Sequence, residues 1–269
     1  MAPPGTDALD PLEDLGPEDA VQLPRLMLIT DPGRTGGRPL LKVVELALKG
    51  GVRMVQLRAK GLPDLDFYLL ARQVTHLVHA FGGISIINDR IDICHAVGAE
   101  GVHLGDDDLP VRVARHLLGP SKLLGYSAHS LKELRRKPEE GADYLTFSPI
   151  YPLSHKPSPT PPWGPEGYRE ALLGCKVPVF ALGGITLEGL PVLVETAAGC
   201  TQPPRVAAVS LLSEAERIID RSQEVLRALH PEGVPDSGGG LEGRYTFDPE
   251  DLLSAEDYDP GYGADAQED

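Results

Sequence analysis

Cysteine is scarce in this 269-residue chain: Cys94, Cys175 and Cys200 are the only three, and none stands in a Cys-x-x-Cys pair. An odd, widely spaced set excludes a disulfide framework and a zinc site, and reads as reduced thiols in a cytoplasmic protein. Long hydrophobic runs are missing as well. No apolar stretch approaches the ~20 residues of a membrane span, and the first residues lack the basic-then-apolar order of a signal peptide. Bases are outnumbered, with 25 Lys and Arg against 40 Asp and Glu. With no basic face in view and acidic ends that would repel phosphate, a nucleic-acid partner is not expected.

The net charge of −15 is unevenly spread. Residues 1–24 hold six acids and no base, and residues 231–269 hold twelve acids and one base, Arg244. Residues 25–230 keep 24 bases and 22 acids, a charge of +2. The Pro/Gly-rich ends are therefore read as a flexible acidic N-terminal extension (1–24) and a disordered, solubilising C-terminal tail (231–269). Between them lies one nearly neutral domain, 25–230, long enough for a substantial core.

Inside that domain one unit recurs eight times. Strand-like runs stand at 26–30 (LMLIT), 54–58 (MVQLR), 85–89 (SIIND), 101–105 (GVHLG), 123–127 (LLGYS), 144–148 (YLTFS), 177–182 (VPVFAL) and 206–212 (VAAVSLL). Each is short and apolar on both faces, as parallel strands covered on both sides require. Helix-like spacing separates them, at Leu40 to Lys49, Asp64 to Ala80 and Val111 to Leu118. After the last strand, Ser213 and Glu216 have the spacing of a capping box. Eight β-α units without a Gly-rich fingerprint after the first strand predict an α/β protein with a closed (β/α)8 TIM barrel, in preference to an open doubly wound sheet.

Barrel strands converge at their C-terminal ends on one mouth, where active sites are built. Strand 2 brings Gln56, Arg58 and Lys60 there, on one face by their i, i+2, i+4 spacing. Strand 3 delivers Asn88 and Asp89, and strand 4 delivers His103 and the run Asp106-Asp107-Asp108. Strand 5 gives Ser127 and His129, strand 6 leads toward Lys156, strand 7 ends in Gly183-Gly184, and strand 8 presents Val209-Ser210. Charge is costly to desolvate, so acids closing two neighbouring buried strands ask for a purpose. Carboxylates among cations suit Mg²⁺, which takes one or two protein carboxylates and fills its octahedron with phosphate oxygens and water. Asp89 and Asp108 would then be metal ligands, with Arg58, Lys60 and Lys156 holding the rest of a di- or polyphosphate. Gly183-Gly184 and the amides near Ser210 fit the phosphate site that barrels build after strands 7 and 8.

Each feature alone has an ordinary explanation. Asn-Asp after a strand turns chain, three aspartates before a helix cap it, Gly-Gly serves any tight turn, and His103 could be a hydrogen-bonded core residue. His129 and His155 read as surface residues, and Ser127 with His129 lacks the orienting acid of a nucleophilic triad. Joint placement at one end of successive strands is what argues for a site.

The stretches LITD (28–31), VQLRAK (55–60), NDRIDICHAVGAEGVHLGDDDLP (88–110), GYSAHS (125–130), GADYLTFSPIYP (141–152), VPVFALGGIT (177–186) and AAVSLL (207–212) resemble the thiamine-phosphate synthases and their relatives the thiazole tautomerases. For a synthase the resemblance implies a barrel that joins hydroxymethylpyrimidine diphosphate to hydroxyethylthiazole phosphate. Diphosphate leaves first, giving a pyrimidine-methyl cation that the thiazole nitrogen captures. By that resemblance Asp89 and Asp108 are Mg²⁺ ligands, and Arg58, Lys60, Asn88 and Lys156 hold the diphosphate. Gln56 and Ser127 sit beside the pyrimidine and its leaving group, and Gly184 with the Val209-Ser210 amides cradles the thiazole phosphate. The partners implied are phosphorylated small molecules, and a homo-oligomer is compatible with the sequence.

This chain departs from the family pattern at three places. Ala59 stands where a glutamate is usual, Leu153 and His155 stand where two threonines precede the lysine, and GCTQPPR precedes strand 8. Two further readings therefore stay open. One is a metal-free thiazole tautomerase using His155 for proton transfer; the other is a non-catalytic relative that binds a thiazole or thiamine phosphate.

Overall fold

A computed structural model describes residues 23–153 and 160–233. The acidic extensions read from the sequence, and with them His155 and Lys156, lie outside these residues apart from Leu23, Pro24 and the first three residues of the tail.

Eight strands alternate with helices: β1 (Leu26–Ile29), α1 (Leu40–Lys49), β2 (Met54–Leu57), α2 (Asp64–Ala80), β3 (Ile84–Asn88), α3 (Ile91–Val97), β4 (Gly101–Leu104), α4 (Val111–Leu118), β5 (Leu123–Ala128), α5 (Leu131–Glu139), β6 (Tyr144–Phe147), α6 (Gly164–Gly174), β7 (Val179–Ala181), α7 (Leu190–Thr196) and β8 (Arg205–Ala208), followed by α8 (Ser210–Ser213) and α9 (Ile218–Leu229). Every strand pairs in parallel with the next, and β8 returns to β1 through Met27 opposite Ala207, so the sheet closes. This is the predicted (β/α)8 barrel. Among the described residues no helix is long and apolar enough to cross a membrane.

Two apolar layers hold the barrel, and strand alternation sorts residues between them. Met27, Ile29, Met54, Ile84, Ile86, Tyr144, Phe180 and Ala207 meet inside the barrel. Their neighbours Leu26, Leu28, Val55, Ile87, Leu145, Val179 and Val206 face outward against the helices. Leu23 joins the inner group at the strands' N-terminal end, at 6% exposure. The helices bury matching stripes, such as Val43, Val44, Ala47 and Leu48 on α1. Left-handed glycines close several of them: Gly51 follows α1 at φ 99° and Gly98 ends α3 at φ 72°.

Two local expectations are corrected. The run VAAVSLL is strand only as far as Ala208, and from Ser210 it winds into α8. A continuous apolar run fits a buried strand and a buried helix equally, so its periodicity hid the switch. Nor do Ser213 and Glu216 cap the last helix. Ser213 ends α8 with its hydroxyl donating to the Val209 carbonyl at 2.9 Å, and α9 starts at Ile218 without a side-chain cap.

Candidate active site

Above the inner apolar layer the alternation of five strands brings polar side chains into the barrel. Gln56, Asn88, His103, Ser127 and Thr146 share the inward phase of Met54, Ile86 and Tyr144, and register sets Asn88 opposite His103 and Ser127 opposite Thr146. They bond to one another round the wall. Gln56 Nε2 donates to Asn88 Oδ1 at 2.8 Å. His103 Nε2 meets Ser127 Oγ at 2.9 Å, and its Nδ1 meets the Tyr144 hydroxyl at 3.1 Å. Thr146 Oγ1 donates to Ser127 Oγ at 3.4 Å. One acceptor is left over: Gln56 is 2% exposed, and its buried Oε1 has no partner among the described residues. A buried acceptor without a donor costs stability unless a ligand supplies one.

His103 is 2% exposed, and burial pushes its pKa down to about 3, against a smaller opposing pull from Asp108. It is neutral at physiological pH, positioned to orient Ser127. Gly125 makes the arrangement fit. A Cβ there would lie 2.2 Å from Tyr144 Cζ and 2.4 Å from His103 Nδ1, both in the packed interior. Gly125→Ala is accordingly expected to destabilise the fold by about 1–3 kcal/mol, the usual cost of overpacking. Urea unfolding with a lowered midpoint and unchanged slope would report it.

The charged residues crown this layer. Asp89 follows β3 with φ 63°, a left-handed conformation that aspartate tolerates better than most residues, and its amide donates to the His103 carbonyl at 3.0 Å. Asp108 sits in the loop after β4, where the Gly105 amide donates to its Oδ2 at 2.6 Å. The two side chains meet within hydrogen-bonding reach across neighbouring strands. The Asp89 carboxyl is pushed up to about 6, first by burial, then by the hydrogen bond and repulsion from Asp108, against the pull of Lys60 and Arg58. Such a pair holds a proton or a cation between its oxygens. Among the described residues no group of three or more His, Cys, Asp or Glu could hold a metal; the Asp89–Asp108 pair offers hard oxygen donors from two carboxylates.

Arg58 stands just beyond the end of β2, in the inward phase. Thr30 ties its backbone twice, the hydroxyl accepting from Arg58 N at 2.9 Å and donating to Arg58 O at 3.0 Å. Its Nη1 lies 3.8 Å from Asp31 Oδ2. Lys60 is exposed, and with Asn88, Asp89, Arg90, Leu62 and Phe67 it lines a cleft of about 280 Å³ beside the carboxylates. Across the mouth, the amides of Gly183, Gly184, Val209 and Ser210 have no acceptor among the described residues. Gly184 is required sterically: at φ 68°, a Cβ would come within 2.6 Å of the Tyr151 and Pro152 carbonyls. The barrel thus places every described residue named from the sequence at one end, with His103 one layer below the mouth. Thr30, Asp31 and Tyr126, whose hydroxyl reaches the loop after β4, join the site beyond the residues that the sequence marks, although LITD closes the first strand. His129, read as a surface residue, is half-buried, its Nδ1 3.1 Å from the Ser148 carbonyl.

Comparison with known proteins shows the family of this barrel. The family model described as thiamine monophosphate synthase matches residues 26–210. The thiamine-phosphate synthase of Albidiferax ferrireducens is 42% identical over 200 residues, 71% of this chain and 91% of that one. That of Moorella thermoacetica is 39% identical over 191 residues, 71% of this chain and 90% of that one. Among solved structures, the thiamine phosphate pyrophosphorylase of Pyrococcus furiosus superposes with a TM-score of 0.68 at 29% identity, over 77% of this chain and 96% of that one. The family match starts with the first barrel strand and stops at Ser210 at the mouth, and on that span this chain belongs to the thiamine monophosphate synthase family.

Proposed function

We infer that this chain is a thiamine-phosphate synthase, a transferase that moves a pyrimidinylmethyl group from diphosphate to the nitrogen of a thiazole phosphate. The observation that carries the reading is the facing pair Asp89 and Asp108, flanked by Arg58 and Lys60. Two carboxylates brought together over a barrel interior repel each other, and a diphosphate-bound cation gives that repulsion a use.

The donor set fits Mg²⁺, with Asp89 and Asp108 as the residues that would hold it. When bound, the ion supplies hard divalent charge against the diphosphate oxygens of the leaving group. Arg58 and Lys60 extend the same stabilisation with fixed positive charge. Below them, Gln56 Oε1 is an open acceptor for the exocyclic amine of an aminopyrimidine, and Asn88 fixes its amide in that orientation. Neutral His103 holds the Ser127 hydroxyl without adding positive charge beneath a pyrimidine-methyl cation. The unspent amides of Gly183, Gly184, Val209 and Ser210 would bind the thiazole phosphate on the far side. The second substrate is thereby aimed at the electrophilic carbon, and no enzyme nucleophile is needed.

The test is direct. Purified protein given hydroxymethylpyrimidine diphosphate, hydroxyethylthiazole phosphate and Mg²⁺ is expected to release thiamine phosphate and diphosphate in equal amounts, and EDTA is expected to stop both. No thiamine phosphate under those conditions overturns the synthase reading. Turnover that ignores EDTA overturns the metal assignment alone.

A further inference from the structure

Of the three consecutive aspartates after β4, Asp108 faces Asp89, Asp107 is exposed, and Asp106 accepts a hydrogen bond from the Tyr126 hydroxyl. Tyr126 lies on β5 between Gly125 and Ser127, which point inward, so its own ring points outward into the layer between barrel and helices. It is 2% exposed there. Lys137, a lysine of α5 that is itself only 7% exposed, sets its Nζ 4.0 Å from the centre of that ring. Glu140 stands 3.4 Å from the same ammonium. The phenol is thus fixed at its ring, and only its oxygen reaches past the strand end to the loop, where it bonds Asp106.

We propose that Tyr126, through Asp106, is a positioning residue for Asp108, holding the loop after β4 so that the two carboxylates stay together before a cation arrives. The proposal rests on the metal reading of Asp89 and Asp108. Within the loop, Asp108 is held to Gly105 by two short-range bonds, its Oδ2 accepting from the Gly105 amide at 2.6 Å and its amide donating to the Gly105 carbonyl at 3.3 Å. Those bonds hold Asp108 to the end of its own strand, because Gly105 directly follows Leu104 of β4, but they do not cross to a neighbouring strand. The Tyr126–Asp106 bond does, and it ties the loop to β5, the strand that carries Ser127. Like charges push Asp108 away from Asp89 while the site is empty, so a loop without this tether would relax outward. Cation binding would then have to draw it back, and affinity falls by the fraction of time the site is out of place.

Tyr126→Phe removes one oxygen and keeps the ring under Lys137. We expect Mn²⁺ binding in the presence of inorganic diphosphate, followed by electron paramagnetic resonance without turnover, to weaken by about fivefold to tenfold, the size of one ordinary hydrogen bond. The Mg²⁺ concentration for half-maximal turnover should rise in parallel, with kcat at saturating Mg²⁺ within about twofold of wild type, because the reacting groups are untouched. Asp106→Ala, an exposed position that threatens no core, should give the same shift. The double variant should be no weaker than either single, since both remove one shared interaction. Wild-type Mn²⁺ affinity in Tyr126→Phe, or an additive double variant, overturns the proposal. So does a lowered melting temperature with unaltered metal affinity, which marks a purely structural bond. Wild-type protein that binds no Mn²⁺ under the same conditions overturns the metal reading itself, a result distinct from all of these.

Discussion

Arg58→Ala is expected to lower kcat/KM for the pyrimidine diphosphate by roughly 10²–10³-fold, the cost of removing one preorganised stabiliser of transition-state charge. Its backbone is locked by the Thr30 hydroxyl on both sides, at 2.9 and 3.0 Å, so the guanidinium does not have to search for its place. Asp31 aims it, at 3.8 Å, without neutralising it by close contact. Negative charge on diphosphate grows as the C–O bond breaks, so a cation fixed in advance acts more strongly on the transition state than on the bound substrate. The loss should therefore appear in kcat as well as in kcat/KM, with KM changing less. Arg58→Lys should recover only part of the activity, because an ammonium cannot make two parallel bonds to a phosphate. The melting temperature should hardly move: the Arg58 side chain is 36% exposed, and half-exposed ion pairs contribute about 1 kcal/mol or less. Steady-state kinetics decides the matter. Activity within threefold of wild type for Arg58→Ala would put the diphosphate somewhere else.

Some parts of this molecule were plain in the sequence and others had no way of showing. Short runs of Val, Ile and Leu covered on both faces, spaced by amphipathic segments, announce parallel strands, and the eight-fold repeat announces closure. The same double burial conceals which side chains face the barrel axis. Leu26 and Met27 are equally apolar and equally buried at 0% exposure, and only closure sends one toward the helices and the other inside. The site was legible because it lies at strand ends, where Asn, Asp, Arg and Lys break an apolar run. Mid-strand groups are another matter. His103 reads alike as ligand or core residue until its two partners, Ser127 and Tyr144, are placed by register from other strands. Tyr126 is hidden more deeply, because a tyrosine inside LLGYS gives no sign that its hydroxyl reaches a loop twenty residues upstream. Ser213 and Glu216 mark the opposite failure. A local motif was present, but Ser213 ends α8, where its hydroxyl donates to the Val209 carbonyl.

Asp108→Asn separates catalysis from stability at the carboxylate pair. Activity should fall by roughly 10³-fold, since an amide donates where a cation needs a charged oxygen and leaves Asp89 to hold it alone. The fold should respond in the other direction above neutral pH. In the wild-type protein without divalent ions, the Asp89 carboxyl keeps its proton up to about pH 6, because of burial and then of Asp108. An unfolded aspartate loses its proton near 3.9. A group that binds its proton more tightly when folded supports the fold below its unfolded pKa, and that support is lost as pH rises through the folded value. The wild type should therefore lose stability between about pH 4 and pH 6, and the loss persists above. Asparagine at 108 removes the repelling charge, so Asp89 titrates closer to its ordinary value and the decline shrinks. The site is partly open to water, and screening limits the difference to on the order of 1 kcal/mol. Urea midpoints in EDTA at pH 4 and pH 7.5 measure it: the two proteins should lie closer together at the lower pH, with the variant gaining on the wild type at the higher. An unchanged gap, or a variant that keeps its activity, would mean that these two carboxylates do not share a charge, and the cation would lose its place in the barrel.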